Sequence, residues 1–515
     1  MHLNSINEWH KLEKLAQCYT NNFDLREVLK NEGPSRISNL CVSAPYMQID
    51  TSNQAWGRDV LDTFCKAAEQ MGLSERRTDL LSGDVVNFTE NRPALHARWR
   101  YEAVNTESSM PRALSSMLTL AENIRSRIDI DDIVHIGIGG SSLGIEIALQ
   151  ALDFFLSSRQ KIHIVSNLDG HDLQQTLKRL TPSRTLIVVV SKSWSTIETL
   201  QNADSAIAWL HDAGIRDISS QVIAISSKPS KAKDMGIMET LDMPEGFGGR
   251  YSLWSSVGFP LAVALGKQGF LELLQGGADM DDHFAKVPLH KNLPVVLGFL
   301  DVWSSSFLGL DGRCIVPYHH GLRRLPAYLQ QLEMESNGKR VGIDGRLLSY
   351  KTAGVIWGEE GSNSQHAFFQ WLHQGTQIVP LELILVKEPE HSLPGHHVAL
   401  LANGLAQAQA LMQGKLASRE QLPGHEDFPG NRPSTIIGLN KLTPASFGAL
   451  LAMYEHRTFV AGVMWGINSF DQFGVELGKK LAKEIESRFY NGDISGVTAS
   501  TAYWINWIRQ GSSIL

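Results

Sequence analysis

Thr185-Leu186-Ile187-Val188-Val189-Val190-Ser191-Lys192-Ser193-Trp194-Ser195-Thr196-Ile197-Glu198-Thr199-Leu200 is the stretch that decides the fold. It begins as a short apolar, β-branched run bounded by polar residues, which predicts a strand buried on both faces of a parallel sheet. Five polar residues follow within six positions: Ser191, Lys192, Ser193, Ser195 and Thr196. Ile197, Leu200, Ala203 and Ile207 then recur at helical spacing, so a helix is expected from near Ser195. Strand, hydroxyl-rich turn and helix N-terminus together direct free N–H groups and the positive end of a helix dipole at one point. With several hydroxyls and one ammonium around it, that point suits a phosphate monoester. The plainer alternative is a single hydroxyl capping an ordinary helix.

Outward from this stretch the same alternation repeats. Ile133–Ile138, Lys161–Ser166 and Gln221–Ser226 are expected strands, with helices over Ser142–Leu156 and Ser195–Ala213. Such alternation predicts a doubly wound parallel sheet. A less regular second set is expected at Arg313–Pro317, Gly354–Trp357, Gln377–Val386 and Phe459–Met464. Asp344-Gly345 marks a hairpin insert, and Thr443-Pro444 starts a helix expected to reach about His456. Residues 1 to about 110 read as mostly helical, with Ile6, Trp9, Leu12, Leu15, Ala16 and Tyr19 on one apolar face.

A chain of 515 residues exceeds one core and accommodates two or three domains. Its hydrophobic content of 43% and charged content of 20% are those of a globular protein. The net charge of −7 gives no reason to expect a nucleic-acid or anionic-membrane partner. The four cysteines, Cys18, Cys41, Cys65 and Cys314, lack CxxC spacing and read as small buried hydrophobes in a reducing compartment. The start, from Met1 to Glu8, lacks a basic and apolar signal-peptide pattern. Leu253–Gly266 is interrupted by serines and Pro260 before reaching transmembrane length. A cytoplasmic protein is therefore expected.

Further motifs carry chemistry. His135-Ile136-Gly137-Ile138-Gly139-Gly140-Ser141-Ser142-Leu143-Gly144 is a Gly-rich strand-to-helix turn that allows close approach of a ligand to backbone. A dinucleotide fingerprint needs glycine where this chain has Ser142, and the next strand ends in Ser166-Asn167 without a carboxylate. Phe247-Gly248-Gly249-Arg250-Tyr251-Ser252-Leu253-Trp254 places one arginine in an apolar stretch, either in a structural ion pair or near developing negative charge. Gln331-Leu332-Glu333-Met334-Glu335-Ser336 precedes the stop signal Asn337-Gly338, so Glu335 falls at a helix C-terminus. The dipole there destabilises the carboxylate, which makes it the stronger proton acceptor that a general base needs; the alternative is a solvated surface glutamate.

His366, after Gly361-Ser362-Asn363-Ser364-Gln365, is expected in the first turn of a helix, where a neutral imidazole is favoured. It reads equally as a structural histidine. Glu390, His391, His396 and His397 raise a metal site, but their loop setting gives no helical or strand ligand spacing. Gln472, Glu476 and Lys479 share a helix face, beside Phe473, Leu477 and Leu481 on a packed one.

In this order, the Gly140-Ser141 turn, the Ser191–Thr196 loop, Gly248-Gly249-Arg250-Tyr251-Ser252 and Met334-Glu335-Ser336-Asn337-Gly338-Lys339 resemble the phosphoglucose isomerase family. Gln365-His366-Ala367-Phe368 and Ser469-Phe470-Asp471-Gln472-Phe473-Gly474-Val475-Glu476-Leu477-Gly478-Lys479 complete the likeness, which runs from about Ile133 to Lys483. The resemblance implies an α/β fold of two doubly wound sugar-isomerase αβα sandwich domains with parallel sheets, N-terminal helices and a C-terminal helical tail. It places a smaller domain at residues 111–280 and a larger one at 1–110 and 281–515. It implies interconversion of glucose 6-phosphate and fructose 6-phosphate through a cis-enediol, without metal or organic cofactor. It further implies a homodimer with active sites shared between subunits.

By motif match the resemblance gives Glu335 the role of base, Arg250 that of enediolate stabiliser, and His366 and Lys479 roles in ring opening. It gives Ser191, Lys192, Ser193 and Thr196 the phosphate, and Gly140, Ser141, Gln331 and Gln472 the sugar. Trp194, Ile197, Ser142 and His319-His320 depart from the family pattern beside these groups, which bears on affinity more than on reaction type. A sugar-phosphate sensor and a nicotinamide-dependent dehydrogenase are the competing classes. Glu335 with Lys479 opposes the first, and Ser142 with the missing carboxylate opposes the second.

Overall fold

The Thr185–Val190 run is a strand buried at every residue, and it lies at the centre of a five-stranded sheet. The structure, a computed structural model, describes residues 3–105, 110–415 and 424–510. In chain order the strands are β1 (Cys41–Ala44), β2 (Met47–Asp50), β3 (Val85–Asn87), β4 (Arg92–Pro93), β5 (Asp132–Ile136), β6 (Lys161–Val165) and β7 (Thr185–Val190). Then follow β8 (Val222–Ser226), β9 (Glu239–Asp242), β10 (Gly312–Tyr318), β11 (Val355–Gly358), β12 (Leu381–Glu388) and β13 (Ser434–Lys441).

The first sheet has the order β6-β5-β7-β8-β9 and is parallel throughout, as expected of a doubly wound sheet. The second has the order β1-β2-β13-β12-β10-β11. Its four later strands are parallel, while β1 and β2 form a hairpin added antiparallel to β13. Residues 1–110 are mostly helical, as expected, and this hairpin is a short addition that the sequence does not show. Tyr46 takes a left-handed φ of 67° in the tight turn between two four-residue strands, too short to show a period. The remaining N-terminal reading holds: the helix Asn7–Asn22 buries Trp9, Leu12 and Ala16.

Two further expectations fail for one reason. Phe459–Met464 is not a strand but the end of the helix Pro444–Trp465, which therefore runs well past His456. Almost every residue of this helix is buried, so its apolar pattern has no polar face by which a helical period could be recognised. The strand actually present there is β13, whose Gly438 and Asn440 interrupt the β-branched run. Similarly Pro260 does not break the chain: it occupies the first turn of the helix Phe259–Lys286, where its missing N–H leaves no bond unmade. Ser256–Lys286 is the one helical run among the described residues long and apolar enough to cross a membrane by length and composition. The protein buries 72% of its most apolar window. The helix bends at Gly266 (φ 79°) and packs against Pro444–Trp465. Gly448 makes that approach possible, since a methyl group there would lie 2.0 Å from the Leu273 carbonyl oxygen.

The Asp344-Gly345 hairpin is present, with a bridge between Val341 and Leu347. The cysteines are all free, but only Cys314 is buried and Cys18 is exposed, so the buried-hydrophobe reading holds for Cys314 alone. The chain forms two compact units, Met1–Phe470 and Asp471–Leu515. The second comprises the helices Glu476–Asn491 and Ala499–Arg509, joined through a turn in which Arg488 donates to the carbonyls of Asp493 and Ser495. Phe473, Leu477 and Leu481, expected as a packed face, are exposed.

Candidate functional site

In the first sheet the chain leaves β5 for β6 on one side and for β7 on the other, so the loops after β5 and β7 border the crevice where ligands bind such sheets. The loop after β7 is held by Trp194. Its side chain is buried, its indole N–H donates to Met235 Sδ at 3.1 Å, and its φ of 51° is one that bulky residues rarely adopt. Anchoring Trp194 inward leaves Ser193 and Ser195 on the outside, 2.7 Å apart between hydroxyls. Ser191 donates to the Thr196 hydroxyl at 3.4 Å. Thr196 is the N-cap of the helix Ile197–Asp212, two residues later than expected, yet its side chain makes no capping bond. Capping therefore does not account for the hydroxyls, and the first-turn N–H groups stay open to a ligand.

Lys192 is less free than its sequence suggests. Its ammonium donates to the carbonyls of Glu245 (2.9 Å) and Phe247 (2.7 Å), tying this loop to the approach to Gly248-Gly249-Arg250. Burial, with the nearby Arg92, holds its pKa below the ordinary lysine value.

The loop after β5 forms a tight turn over Gly139–Ser141, with Gly139 at φ 60°. His135 supports it from below, donating from Nε2 to the Ser141 carbonyl at 2.6 Å. Gly140 is pressed against the arginine loop: a methyl group there would meet the Gly249 carbonyl carbon at 2.0 Å and the Arg250 nitrogen at 2.6 Å. The Ser252 hydroxyl reaches the carbonyls of both Gly140 (3.1 Å) and Gly249 (2.7 Å). A methyl group on Gly139 would come within 3.0 Å of Gln331 Nε2, so Gln331 lies directly over the turn.

Arg250 is the centre of the arrangement. It is buried, with Nε donating to the Ser336 hydroxyl (2.6 Å), Nη2 to the Ser469 carbonyl (2.7 Å) and Nη1 to Glu335 Oε2 (3.1 Å). The Tyr251 hydroxyl also meets Ser336, at 3.0 Å. Glu335 keeps 23% of its side chain exposed against 1% for Arg250, so the carboxylate faces open space from a fixed cation. It ends a π-helical turn, Gln330–Glu335, a distortion that often marks functional sites. The helix closes within two residues, with the Gly338 N–H bonded to the Met334 carbonyl.

The structure thus brings together Gly140, Ser141, Arg250, Gln331 and Glu335, with the Ser191–Thr196 loop linked to them through Lys192. It does not place His366 in the first turn of the helix that follows, Phe369–Gln374. His366 is exposed on a short turn, Ser364–His366, which ends before the helix Phe369–Gln374. The helix starts late because Gln365 is drawn to the Tyr318 hydroxyl (2.7 Å) and Gly361 to the Pro317 carbonyl (2.7 Å). No hydrogen bond joins His366 to Arg250 or Glu335 among the described residues. Gln472 and Lys479 belong to the C-terminal unit, where Lys479 pairs with Glu476 at 3.0 Å. Sequence reading gave no role to Ser336, Ser469 or His135, which fix the arginine and the glycine turn; all three stand inside the motifs that were singled out. Among the described residues no group of three His, Cys, Asp or Glu is placed to hold a metal ion.

Comparison with known proteins bears on this geometry. The family described as phosphoglucose isomerase matches residues 50–505. Glucose-6-phosphate isomerase of Albidiferax ferrireducens is 46% identical over 510 residues, covering 96% of each chain. Its counterpart in Polaromonas naphthalenivorans is 46% identical over 515 residues, covering 97% of this chain and 98% of that one. A glucose-6-phosphate isomerase of Chlamydia trachomatis, 30% identical, superposes with a TM-score of 0.88 over 99% of this chain and 100% of its own.

Proposed function

Because the chain belongs to the phosphoglucose isomerase family and interconverts glucose 6-phosphate and fructose 6-phosphate in glycolysis and gluconeogenesis, we propose that Arg250 and Glu335 form its reaction centre. Glu335 takes the proton from C2 of the open-chain aldose and returns it to C1, passing through a cis-enediol. The guanidinium of Arg250 stabilises the negative charge that develops on the enediolate oxygens. The single observation that carries this assignment is the 3.1 Å contact between a sealed, immobile arginine and a partly exposed carboxylate at the mouth of the glycine turn.

Ser191, Lys192, Ser193 and Thr196 hold the phosphate, with one Lys192 proton left after its two carbonyl bonds. Gly140, Ser141, Gln331 and Gln472 orient the sugar, and His366 and Lys479 serve ring opening. The two sheets support a division into the domains 111–280 and 1–110 with 281–515. The enzyme works without metal or organic cofactor, as a cytoplasmic homodimer. The exposed His366, bonded to neither Arg250 nor Glu335 of its own chain, supports a site completed by a partner subunit.

Incubation with fructose 6-phosphate in heavy water with EDTA tests the chemistry: deuterium should appear at C2 of glucose 6-phosphate. Its absence, with turnover intact, would mean that no solvent-exchangeable base moves the proton; loss of turnover with EDTA would show a metal requirement. For the shared site, Glu335→Gln and His366→Ala chains are unfolded and refolded together. Each mixed dimer should contain one intact site and regain activity well above either parent. Mixed dimers shown by mass spectrometry to be present but inactive would place both residues in one chain.

A further inference from the structure

The second sheet repeats the winding of the first. The chain leaves β10 for β11 on one side and for β12 on the other, so its crevice opens between the C-terminal ends of β10 and β12. In the first sheet the corresponding crevice is bordered by the glycine turn and the Ser191–Thr196 loop. In the second it is not filled by side chains: a cavity of about 770 Å³ lies there, within the size range of small-molecule pockets.

The walls are specific in chemistry. After β10 come His319 and Arg323; after β12 come Glu390 and His397, the latter in the first turn of the helix His396–Gln413. The helix Leu143–Ala151, the turn Asp153–Phe155 after it and the start of β6 close the other side with Gln150, Asp153 and Lys161. Glu390 accepts from His319 Nε2 at 2.9 Å through Oε2, because Nδ1 of that ring accepts the Gly321 N–H, while its Oε1 is buried without a hydrogen-bond partner. Arg159, also at the wall, is bound to Asp131. Lys161 stands in no ion pair among the described residues, Arg323 uses one N–H on the His320 carbonyl at 3.2 Å and keeps its others, and the side-chain carbonyl of Gln150 is buried without a hydrogen-bond partner. Phe154 supplies an exposed apolar face. Available cations, an unmet acceptor, a carboxylate and an apolar patch around one cavity match a phosphate monoester on a polyhydroxylated body.

We propose that the cleft between the ends of β10 and β12 is a second sugar-phosphate site. Lys161 and Arg323 hold the phosphate, while Gln150 and Asp153 accept hydrogen bonds from the hydroxyls. The site is separate from the reaction centre and does not depend on its assignment.

Equilibrium dialysis of radiolabelled glucose 6-phosphate against the full-length Glu335→Gln chain tests it. Binding of two ligands per chain is expected. The count is unaffected if that variant retains turnover, since both sugar phosphates carry the label. Lys161→Ala with Arg323→Ala should remove one of the two, while the same pair in the active chain leaves kcat and melting temperature unchanged. Ser193→Ala should weaken the other. Gln150→Leu alone should also weaken the second site, which keeps the proposal testable if the double variant folds poorly. Inorganic phosphate should displace the second ligand at least about ten-fold less effectively than glucose 6-phosphate, since it cannot reach Gln150 and Asp153. One ligand per chain up to about 10 mM, far weaker than specific binding, would overturn the proposal. Equal displacement by inorganic phosphate would overturn the sugar-phosphate class. A change of oligomeric mass in the Lys161/Arg323 variant without loss of the second ligand would make the cleft an interface between copies, and overturn it as well.

Discussion

Two arginine–carboxylate clusters lie two residues apart at the end of the helix that carries Glu335, and they are put to opposite uses. In the first, Arg313 and Arg457 meet three carboxylates, Asp301, Glu333 and Glu382, all nearly sealed from solvent. Arg457 donates to both oxygens of Asp301 at 2.7 Å and to Glu382 at 2.6 Å; Arg313 reaches Glu333 at 2.5 Å. With three acids for two cations, one acid bears the excess: burial pushes the Glu333 carboxyl above its ordinary pKa. Burial opposes ionisation of Glu382 too, but the two guanidiniums outweigh it and hold that pKa low. In the second cluster one guanidinium faces one carboxylate, and Glu335 is left partly open. A sealed network has no room for a reactant and contributes to the fold; an open pair with a fixed cation has a vacant side where charge can develop.

Breaking each cluster should separate these uses. Arg457→Ala leaves three buried carboxylates to Arg313 alone, and a loss of about 3–5 kcal/mol in unfolding free energy is expected, read by urea or thermal unfolding. If stability barely changes, the network is not holding the fold. Glu335→Gln should do the reverse. It should lower kcat by about 10²-fold or more with little change in binding of a phosphorylated inhibitor, and its melting temperature should stay near wild type. A variant retaining much of its kcat would show that the base lies elsewhere. Ser193→Ala comes next in size. Losing one bond to a charged phosphate costs about 1.5–3 kcal/mol, seen as a higher KM for fructose 6-phosphate and an unchanged, weak response to unphosphorylated fructose. Equal effects on both sugars would separate the loop from the phosphate.

The same pair of acids measures what the sequence makes legible. Glu333 and Glu335 stand in one short polar stretch, and their types and spacing do not say which faces the interior; the π turn and Arg313 decide that. Glu335 was singled out by the Asn337-Gly338 stop and the family motif, not by any property of its own. The first sheet was read nearly to the residue because its strands are continuous β-branched runs punctuated by glycine and serine turns. Its edge strand β9 escaped, being four residues long with charged ends. In the second sheet, β13 and the buried helix after it carried no readable period. Lys192 was legible as a cation beside a hydroxyl loop, but not as a strut to the Glu245 and Phe247 carbonyls, 53 and 55 residues away in sequence.

A third sealed group tests the comparison at its smallest scale. Where the Arg457 network keeps its charges by pairing them, His135 stays neutral in the same kind of seclusion. It lies on β5 with no exposure, donates from Nε2 to the Ser141 carbonyl, and has Nδ1 buried without a partner. Burial holds its pKa down to about 4, with the Ser141 carbonyl pulling the other way. Since the folded value lies below the unfolded value of about 6.5, the unfolded chain takes up the proton first as pH falls. The contribution is therefore intact above about pH 6.5 and lost progressively toward pH 4. At pH 5.5 this one ring should lower stability by about 1.4 kcal/mol. Other buried histidines, His283 among them with a pKa also near 4, add to the acid response of the whole chain. The diagnostic quantity is therefore the difference between wild type and His135→Gln, whose amide can still donate to Ser141 but does not titrate. Urea unfolding of both at pH 7 and 5.5 should show the variant losing about 1.2 kcal/mol less over that interval. Equal losses would mean that His135 is already protonated in the folded chain, and that seclusion beneath the glycine turn does not keep it neutral.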